Sequence, residues 1–119
     1  MKKILYVEDH RDTAEAVRQM LEDAGFEVEI SFHGADGLEK AHEKKFDLVL
    51  LDIMLPDMSG WDIFKTLNTK KYNAKYAFLS VIPVSTERMK ELKKAGISDY
   101  ITKPFTKKDL TERIKKILK

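Results

Sequence analysis

Five polar residues stand directly after apolar runs of the sequence and could share one site. They are Glu8, Asp9, Asp52, Ser80 and Lys103. If the apolar runs are neighbouring parallel strands, these residues meet at one edge of the sheet. Three carboxylates gathered there repel one another unless a cation joins them, and Mg²⁺ is a cation that such oxygen ligands bind. A lysine and a hydroxyl group opposite the carboxylates suit an anionic oxygen cluster, such as a phosphoryl group.

Alternating apolar runs and helical patterns must position these residues. The predicted strands cover 4–7, 26–32, 48–51, 76–81 and 99–102, and the second of them alternates apolar and polar side chains as a half-covered strand does. The predicted helices cover about 14–24, 34–45, the residues after Ser59, 86–95 and the residues after Thr106. Asp62 and Asp109 stand three residues after those two hydroxyl residues, which is typical of a capped helix start. Gly96 is a candidate C-terminal cap.

Strict alternation of five strands with five helices predicts an α/β fold with a doubly wound parallel sheet. Five units are too few for an eight-stranded barrel. The length of 119 residues fits a single domain over residues 1–119. In an open sheet of this kind the ligand site lies beyond the carboxyl ends of the strands, where the five polar residues stand.

Composition and charge exclude several classes of protein. The absence of cysteine rules out disulfides, thiolate metal sites and cysteine nucleophiles. The first apolar run ends at Glu8, too early for a secretory or membrane segment, so we expect a soluble, cytoplasmic protein. The net charge of +2 divides into −7 over residues 1–60 and +9 over residues 61–119. This asymmetry agrees with a cation site in the first half and a partner-binding surface in the second, although solvated helix faces would also account for it.

The pieces at the strand ends together resemble the receiver domain of two-component response regulators, the CheY-like fold. The pieces are Val7-Glu8-Asp9, then Asp52-Ile53-Met54-Leu55-Pro56-Asp57-Met58-Ser59-Gly60, then Phe78-Leu79-Ser80, then Gly96 with residues 99–105. The match covers essentially the whole chain. It implies a flavodoxin-like sheet with strand order 2-1-3-4-5 and five helices.

The resemblance implies a role for each residue at the strand ends. Asp52 corresponds to the phosphoryl acceptor. Asp9, Asp52 and the backbone carbonyl of Met54 correspond to ligands of Mg²⁺ or Mn²⁺, with Glu8 acting through water. Lys103 would pair with Asp52 and then with the phosphoryl oxygens.

The resemblance also implies a switch. Ser80 would bond a phosphoryl oxygen, and Tyr100 matches an aromatic residue that turns inward on activation. The bond Lys103–Pro104 would be a cis peptide bond. Such a protein is a signalling switch and not an enzyme, beyond catalysing its own phosphotransfer and autodephosphorylation.

Partners follow from the same resemblance. The donor would be a sensor histidine kinase or a phosphotransfer protein, and a downstream partner would contact the face of the fourth helix, fifth strand and fifth helix. Asp99 and Arg113 resemble a charged pair that some transcription-regulator receivers use across a phosphorylation-dependent homodimer. Met89 stands where those families place a basic residue, so the match is partial.

Two apolar residues lead to an expectation about the lifetime of the phosphorylated state. Met54 and Ile82 stand two residues after the acceptor and two after Ser80, where family members flank the path of the hydrolytic water. Neither side chain orients or activates water, and Val81 adds apolar bulk. We therefore expect slow spontaneous hydrolysis of the aspartyl phosphate.

Three other interpretations have different sequence requirements. A degenerate receiver that works without phosphorylation does not need the intact Asp9, Asp52, Ser80 and Lys103. A phosphatase of the haloacid-dehalogenase type requires a second aspartate where Met54 stands. A flavodoxin-like cofactor carrier requires a phosphate loop after the first strand, where the acidic pair would repel a phosphate. No P-loop, dinucleotide fingerprint or zinc spacing is present.

Direct nucleic-acid binding has little support, although the last helix is rich in lysine. No helix-turn-helix follows that helix within the 119 residues. The sequence leaves open whether this receiver-like unit works alone or belongs to a longer protein. It also leaves open the kinase, the process regulated and the oligomeric state.

Overall fold

The computed structural model describes residues 1–119, and strands alternate with helices throughout. The strands are β1 (Lys3–Val7), β2 (Glu27–Ser31), β3 (Leu48–Leu51), β4 (Lys75–Ser80) and β5 (Asp99–Thr102). The helices are α1 (Arg11–Asp23), α2 (Gly34–Glu43), α3 (Gly60–Thr69), α4 (Thr86–Ala95) and α5 (Lys107–Ile117). All strand pairs are parallel, in the order β2-β1-β3-β4-β5. The predicted α/β fold is confirmed.

The sheet is covered on both faces, so its central strands are almost entirely apolar. Every residue of Leu48–Leu51 in β3 is buried. Alternate side chains of a strand point to opposite faces. Ile4 and Tyr6 of β1 therefore pack in one core with α1 and α5, while Leu5 and Val7 pack in the other with α2, α3 and α4. None of the five helices combines the length and the apolar character needed to cross a membrane.

The end of β4 differs from the prediction. The strand predicted for 76–81 ends at Ser80, because the last ladder pair joins Ser80 to Thr102 of β5. Val81 lies beyond this pair, and 66% of its surface is exposed. Val81 thus belongs to the loop although it continues the apolar run. Only the pairing of the strands shows where β4 ends.

Two other elements are shorter than predicted. The helix predicted for 34–45 ends at Glu43, because the backbone of Lys44 turns to an extended conformation and leads the chain back toward β3. The strand predicted for 26–32 covers Glu27–Ser31, the residues that pair with β1. Since β2 pairs only with β1, it forms one edge of the sheet.

Predicted capping residues lie at the ends of three helices. The Ser59 hydroxyl accepts a hydrogen bond from Asp62 N–H at the start of α3, and the Asp62 carboxylate accepts one from Ser59 N–H. The Thr106 hydroxyl accepts a hydrogen bond from the backbone N–H of Asp109 at the start of α5. Gly96 ends α4 with a φ of +116°, in the left-handed region that favours glycine.

The start of α2 is capped by a residue from a distant loop. The two Asp57 carboxylate oxygens accept hydrogen bonds from Gly34 N–H at 2.7 Å and Ala35 N–H at 2.8 Å. These two backbone donors lower the pKa of Asp57 below its usual range, and Ala35 N–H has the larger effect. His33 lies 3.7 Å from the same carboxylate. The loop after β3 is thereby attached to α2.

We expect Asp57→Asn to lower the melting temperature at neutral pH, because an amide has one acceptor oxygen where the carboxylate has two. The lowered pKa means that the carboxylate stabilises the fold above its unfolded-state pKa, near ~3.9. That contribution is lost as the pH falls through the lower folded-state pKa. The difference in melting temperature between wild type and variant, followed by circular dichroism, should therefore shrink below about pH 4.

Glu39→Gln provides the control, because Glu39 is an exposed residue of the same helix. This variant removes a carboxylate without removing a helix cap, so the same loss at low pH is not expected. A difference between wild type and Asp57→Asn that stays constant into strong acid would contradict the charged cap.

Candidate functional site

The carboxyl ends of the central strands bring three acidic side chains together. Glu8 and Asp9 follow β1, and Asp52 follows β3, the neighbouring strand. One carboxylate oxygen from each lies within 4.8 Å of the others. The register imposes this approach, because Val7 and Leu51 are paired and Asp52 N–H donates to the Val7 carbonyl at 3.0 Å.

Lys103, which follows β5, reaches this acidic cluster with its ammonium group. Its Nζ lies 3.3 Å from Asp52 Oδ2 and forms a hydrogen bond with Glu8 Oε1. Only 14% of the Lys103 side chain and 13% of the Asp52 side chain are exposed. A charge removed from water costs several kcal/mol unless it is paired, so the shared ammonium compensates both carboxylates. The Lys103–Pro104 peptide bond is cis.

Glu8 is the most deeply buried acidic residue, with 1% of its surface exposed. Besides the Lys103 ammonium, its Oε1 accepts a hydrogen bond from the Tyr6 hydroxyl at 3.1 Å. Its Oε2 accepts one from His10 N–H at 3.2 Å. Burial and then the nearby Glu8 carboxylate raise the pKa of Tyr6, so the hydroxyl keeps its proton at neutral pH. Asp9, in contrast, is exposed.

The loop after β3 holds Asp52 by its backbone. Met54 N–H donates to Asp52 Oδ1 at 3.1 Å, and Gly60 N–H donates to the Ile53 carbonyl at 2.8 Å. A Cβ atom at Gly60 would lie 2.2 Å from the Asp52 carbonyl oxygen. Only glycine permits this contact, so the start of α3 packs directly against Asp52.

The donor set fits a hard divalent cation. All three acidic residues offer carboxylate oxygens, which Mg²⁺ and Mn²⁺ prefer, and no sulfur ligand is present. Asp9 lies on the solvent side of the cluster, where a partly hydrated ion could enter. The burial of Glu8 behind its three donors agrees with an indirect contact to such an ion.

Comparison with known proteins identifies the family. The family model described as the response regulator receiver domain matches residues 4–115. This range includes all five strands' carboxyl ends and the whole acidic cluster with Lys103. The chain belongs to the response regulator receiver family. Phosphorylation-dependent switching is the general function of this family in two-component signalling.

Individual relatives agree with the family. The transcriptional regulatory protein CusR of Escherichia coli (strain K12) is 36% identical over 117 residues, which cover 98% of this chain and 51% of that protein. A CheY-like receiver domain protein from Methanospirillum hungatei JF-1 matches with a TM-score of 0.88 at 35% identity, over 99% of this chain and 94% of the other. Response regulator TrrA of Thermotoga maritima, solved in complex with Mg²⁺ and BeF, matches with a TM-score of 0.85 at 30% identity, over 99% of this receiver and 100% of that chain. The receiver spans about half the length of the curated relatives it matches.

Ser80 and Tyr100 of this receiver meet at one residue of the loop after β4. The Ser80 hydroxyl accepts a hydrogen bond from Ile82 N–H at 3.2 Å, and the Tyr100 hydroxyl donates one to the Ile82 carbonyl. Both side chains are buried. In this structure Ser80 makes no hydrogen bond to the acidic cluster. The backbone of Ile82 therefore links the two residues to which the family resemblance gives a switch role.

The residues assigned to the lifetime lie on the rim of the site. Met54 is 63% exposed, Ile82 is 39% exposed and Val81 is more exposed still. They present apolar surface to solvent around the charged cluster and do not form a closed wall over it. The expected effect on hydrolysis remains a prediction about this rim.

Asp99 and Arg113 pair within the receiver. Arg113 Nε lies 3.5 Å from Asp99 Oδ2 and 3.8 Å from Asp109 Oδ1. A pairing of these residues across a dimer would therefore have to replace an existing intramolecular ion pair.

Sequence reasoning missed two functional neighbours of the predicted residues. The sequence pattern shows Tyr6 only as part of an apolar run. Residues two apart in an extended chain share a face, which places the Tyr6 hydroxyl beside Glu8. The backbone of Ile82 carries no sequence signal, because any residue offers the same N–H and carbonyl groups.

The Lys103 ion pair is open to a stability test. We expect Lys103→Met to lower the free energy of unfolding by about 3 kcal/mol, because it leaves Glu8 buried beside a neutral side chain. The measurement is urea denaturation at neutral pH in the presence of EDTA. Lys107→Met is the matched control, since Lys107 and Asp23 form an exposed ion pair at 3.0 Å. This variant should lose far less stability, because solvent screens exposed ion pairs. Equal losses of unfolding free energy in the two variants would contradict a buried Lys103 ammonium that compensates two carboxylates.

Proposed function

We propose that this receiver accepts a phosphoryl group from the phosphohistidine of a sensor kinase or phosphotransfer protein onto Asp52, in a Mg²⁺-dependent reaction. The observation that carries the proposal is the position of the Asp52 carboxylate. It lies 3.3 Å from the Lys103 ammonium and within the cluster of acidic oxygens at the carboxyl edge of the sheet. The phosphorylated form then regulates a partner protein or an output domain. We propose the cytoplasm as the location of the protein, as expected from the sequence.

The chemistry needs positioning and charge compensation more than acid–base catalysis. An Asp52 carboxylate oxygen forms a bond to phosphorus while the bond from phosphorus to the histidine nitrogen breaks, and the electron pair of that bond stays on the imidazole. Lys103 faces the negative charge on the phosphoryl oxygens. A bound Mg²⁺ or Mn²⁺, held by Asp9, Asp52 and the Met54 carbonyl with Glu8 acting through water, would neutralise the same charge.

The hydrogen bonds at Ile82 provide a route from the acceptor to the surface. Ser80 would exchange its bond from Ile82 N–H for a bond to a phosphoryl oxygen. Because Tyr100 bonds the Ile82 carbonyl, the loop after β4 and Tyr100 would respond together. A cavity of about 460 Å³ lies between this loop, Tyr100 and α4. Leu92 is the one side chain of α4 that is fully buried, so this helix has room to shift.

The first test follows phosphorylation by intact-mass spectrometry with acetyl phosphate or phosphoramidate as the donor. We expect a mass gain of one phosphoryl group in Mg²⁺, none in excess EDTA, and none in Asp52→Asn. The reason is that three converging carboxylates need a cation before an anionic donor can approach. We expect the fluorescence of Trp61, in the first turn of α3, to report Mg²⁺ binding independently. Equal labelling with Mg²⁺ and with EDTA would contradict the metal assignment.

The lifetime of the aspartyl phosphate provides a second test. Polar side chains on the rim could orient a water molecule, whereas Met54 and Ile82 cannot. We expect Met54→Asn combined with Ile82→Glu to hydrolyse faster than wild type, by on the order of tenfold for one added polar interaction with the attacking water. Loss of the phosphorylated mass is followed after removal of the donor. If the double variant decays no faster than wild type, these side chains do not set the lifetime.

Output is proposed to use the face formed by α4, β5 and α5. This face carries unpaired lysines such as Lys93 and Lys116, and a phosphorylation-dependent homodimer could form there if Arg113 exchanges its Asp99 partner for that of a second copy. Light scattering with and without beryllofluoride measures the change in mass. A monomer at high concentration in both states would count against the dimer and leave a heterologous partner for this face.

A further inference from the structure

Tyr6 combines complete burial with a polar contact at the acidic cluster. None of its surface is exposed, and its hydroxyl lies 3.1 Å from Glu8 Oε1. Tyr6 lies on β1, which is flanked by β2 and β3, and Glu8 follows directly after the end of that strand. A strand held on both sides fixes the Tyr6 backbone, and packing in the core shared with α1 and α5 fixes its ring.

Glu8 Oε1 receives two donors of different mobility. One is the rigid Tyr6 hydroxyl, and the other is the ammonium at the end of the flexible Lys103 side chain. The other carboxylate oxygen, Oε2, is bonded by His10 N–H at 3.2 Å. Because Glu8 is 1% exposed, bulk solvent does not reach Oε1 to replace a donor that leaves. An unpaired buried carboxylate oxygen is costly.

Phosphorylation of Asp52 would attract the same Lys103 ammonium away from Glu8. Lys103 already lies 3.3 Å from Asp52 Oδ2, and a phosphoryl group on Asp52 adds oxygens that attract it further. If Lys103 were the only donor to Glu8 Oε1, turning toward the phosphoryl group would strip that oxygen of its partner.

We propose that Tyr6 is a positioning residue of the phosphotransfer site, whose hydroxyl keeps Glu8 oriented and hydrogen-bonded while Lys103 moves to the phosphoryl group. This inference rests on the proposed function of Asp52. It assigns to Tyr6 a part in the reaction beyond its packing in the core. A phenylalanine at this position would fill the same space and keep the same packing, so only the hydroxyl distinguishes the two roles.

The variant Tyr6→Phe separates binding of the metal from binding of the phosphoryl group. Trp61 fluorescence is titrated first with Mg²⁺ alone and then with beryllofluoride, a phosphoryl mimic, at saturating Mg²⁺. With Mg²⁺ alone Lys103 still bonds Glu8, so the affinity should stay within about twofold of wild type, well under the value of one hydrogen bond. Beryllofluoride draws Lys103 away, so its affinity should fall on the order of tenfold, as for loss of one hydrogen bond to a charged group. The rate of labelling by phosphoramidate should fall in parallel.

Tyr76→Phe is the matched control. Tyr76 is also a buried tyrosine, 4% exposed, and its hydroxyl donates to the Tyr72 carbonyl at 3.1 Å, away from the acidic cluster. This variant loses a tyrosine hydroxyl and a hydrogen bond of the same length, so a general loss of stability would appear in both variants. The beryllofluoride affinity of Tyr76→Phe should match that of wild type.

A double-mutant cycle tests whether the effect passes through Glu8. Glu8→Asp keeps the charge but withdraws the carboxylate from the Tyr6 hydroxyl by one methylene. In this background Tyr6→Phe should cause no further loss of beryllofluoride affinity. Equal losses in the two backgrounds would overturn the proposal, as would a Tyr6→Phe variant with wild-type beryllofluoride affinity and labelling. Absence of labelling in wild type itself would instead refute the proposed function.

Discussion

One ammonium group compensates two carboxylates at the carboxyl edge of the sheet, and the arrangement of the site depends on it. Lys103 lies between the buried Glu8 and the mostly buried Asp52. Without it, the two carboxylates would face each other in a place that water barely reaches, at a cost of several kcal/mol. The same ammonium that permits these acids to be buried is also the group that a phosphoryl oxygen would attract. Stability and the proposed phosphotransfer are therefore coupled through one side chain.

The sheet makes this arrangement possible by its register. Pairing of Val7 with Leu51 brings the residues that follow them side by side, and Gly60 lets α3 approach the Asp52 carbonyl without a clash. The loop after β3 is tied to α2 through Asp57. Rigid strands thus place the acidic residues. The loop after β4 is attached at Ile82, whose N–H donates to the Ser80 hydroxyl and whose carbonyl accepts from the Tyr100 hydroxyl. The site joins a half fixed by strand pairing to a half held through loop hydrogen bonds.

Much of this architecture could be predicted from the sequence, because the signals were local. Apolar runs, helical spacing and capping residues such as Ser59 and Gly96 fix the elements, and alternation of strand and helix fixes the parallel sheet. The clustering of Glu8, Asp9, Asp52 and Lys103 followed because these residues stand where strands end. The prediction that β4 extends to Val81 is wrong, because hydrogen-bonded pairing with β5 and not hydropathy determines where the strand ends. Contacts between side chains distant in sequence, such as Asp57 with α2, depend on packing that local patterns do not report.

Helix α4 has the weakest attachment to the core among the five helices. Leu92 is its one fully buried residue, and the cavity of about 460 Å³ lies beneath its start. An element with few buried apolar contacts opens at a lower free energy than the fold as a whole. Its backbone amides should accordingly exchange with solvent through local opening, while those of β1 and β3 exchange only when the whole domain unfolds. A shift of α4 would therefore change the surface that this helix presents while leaving most of the packing in the two cores intact.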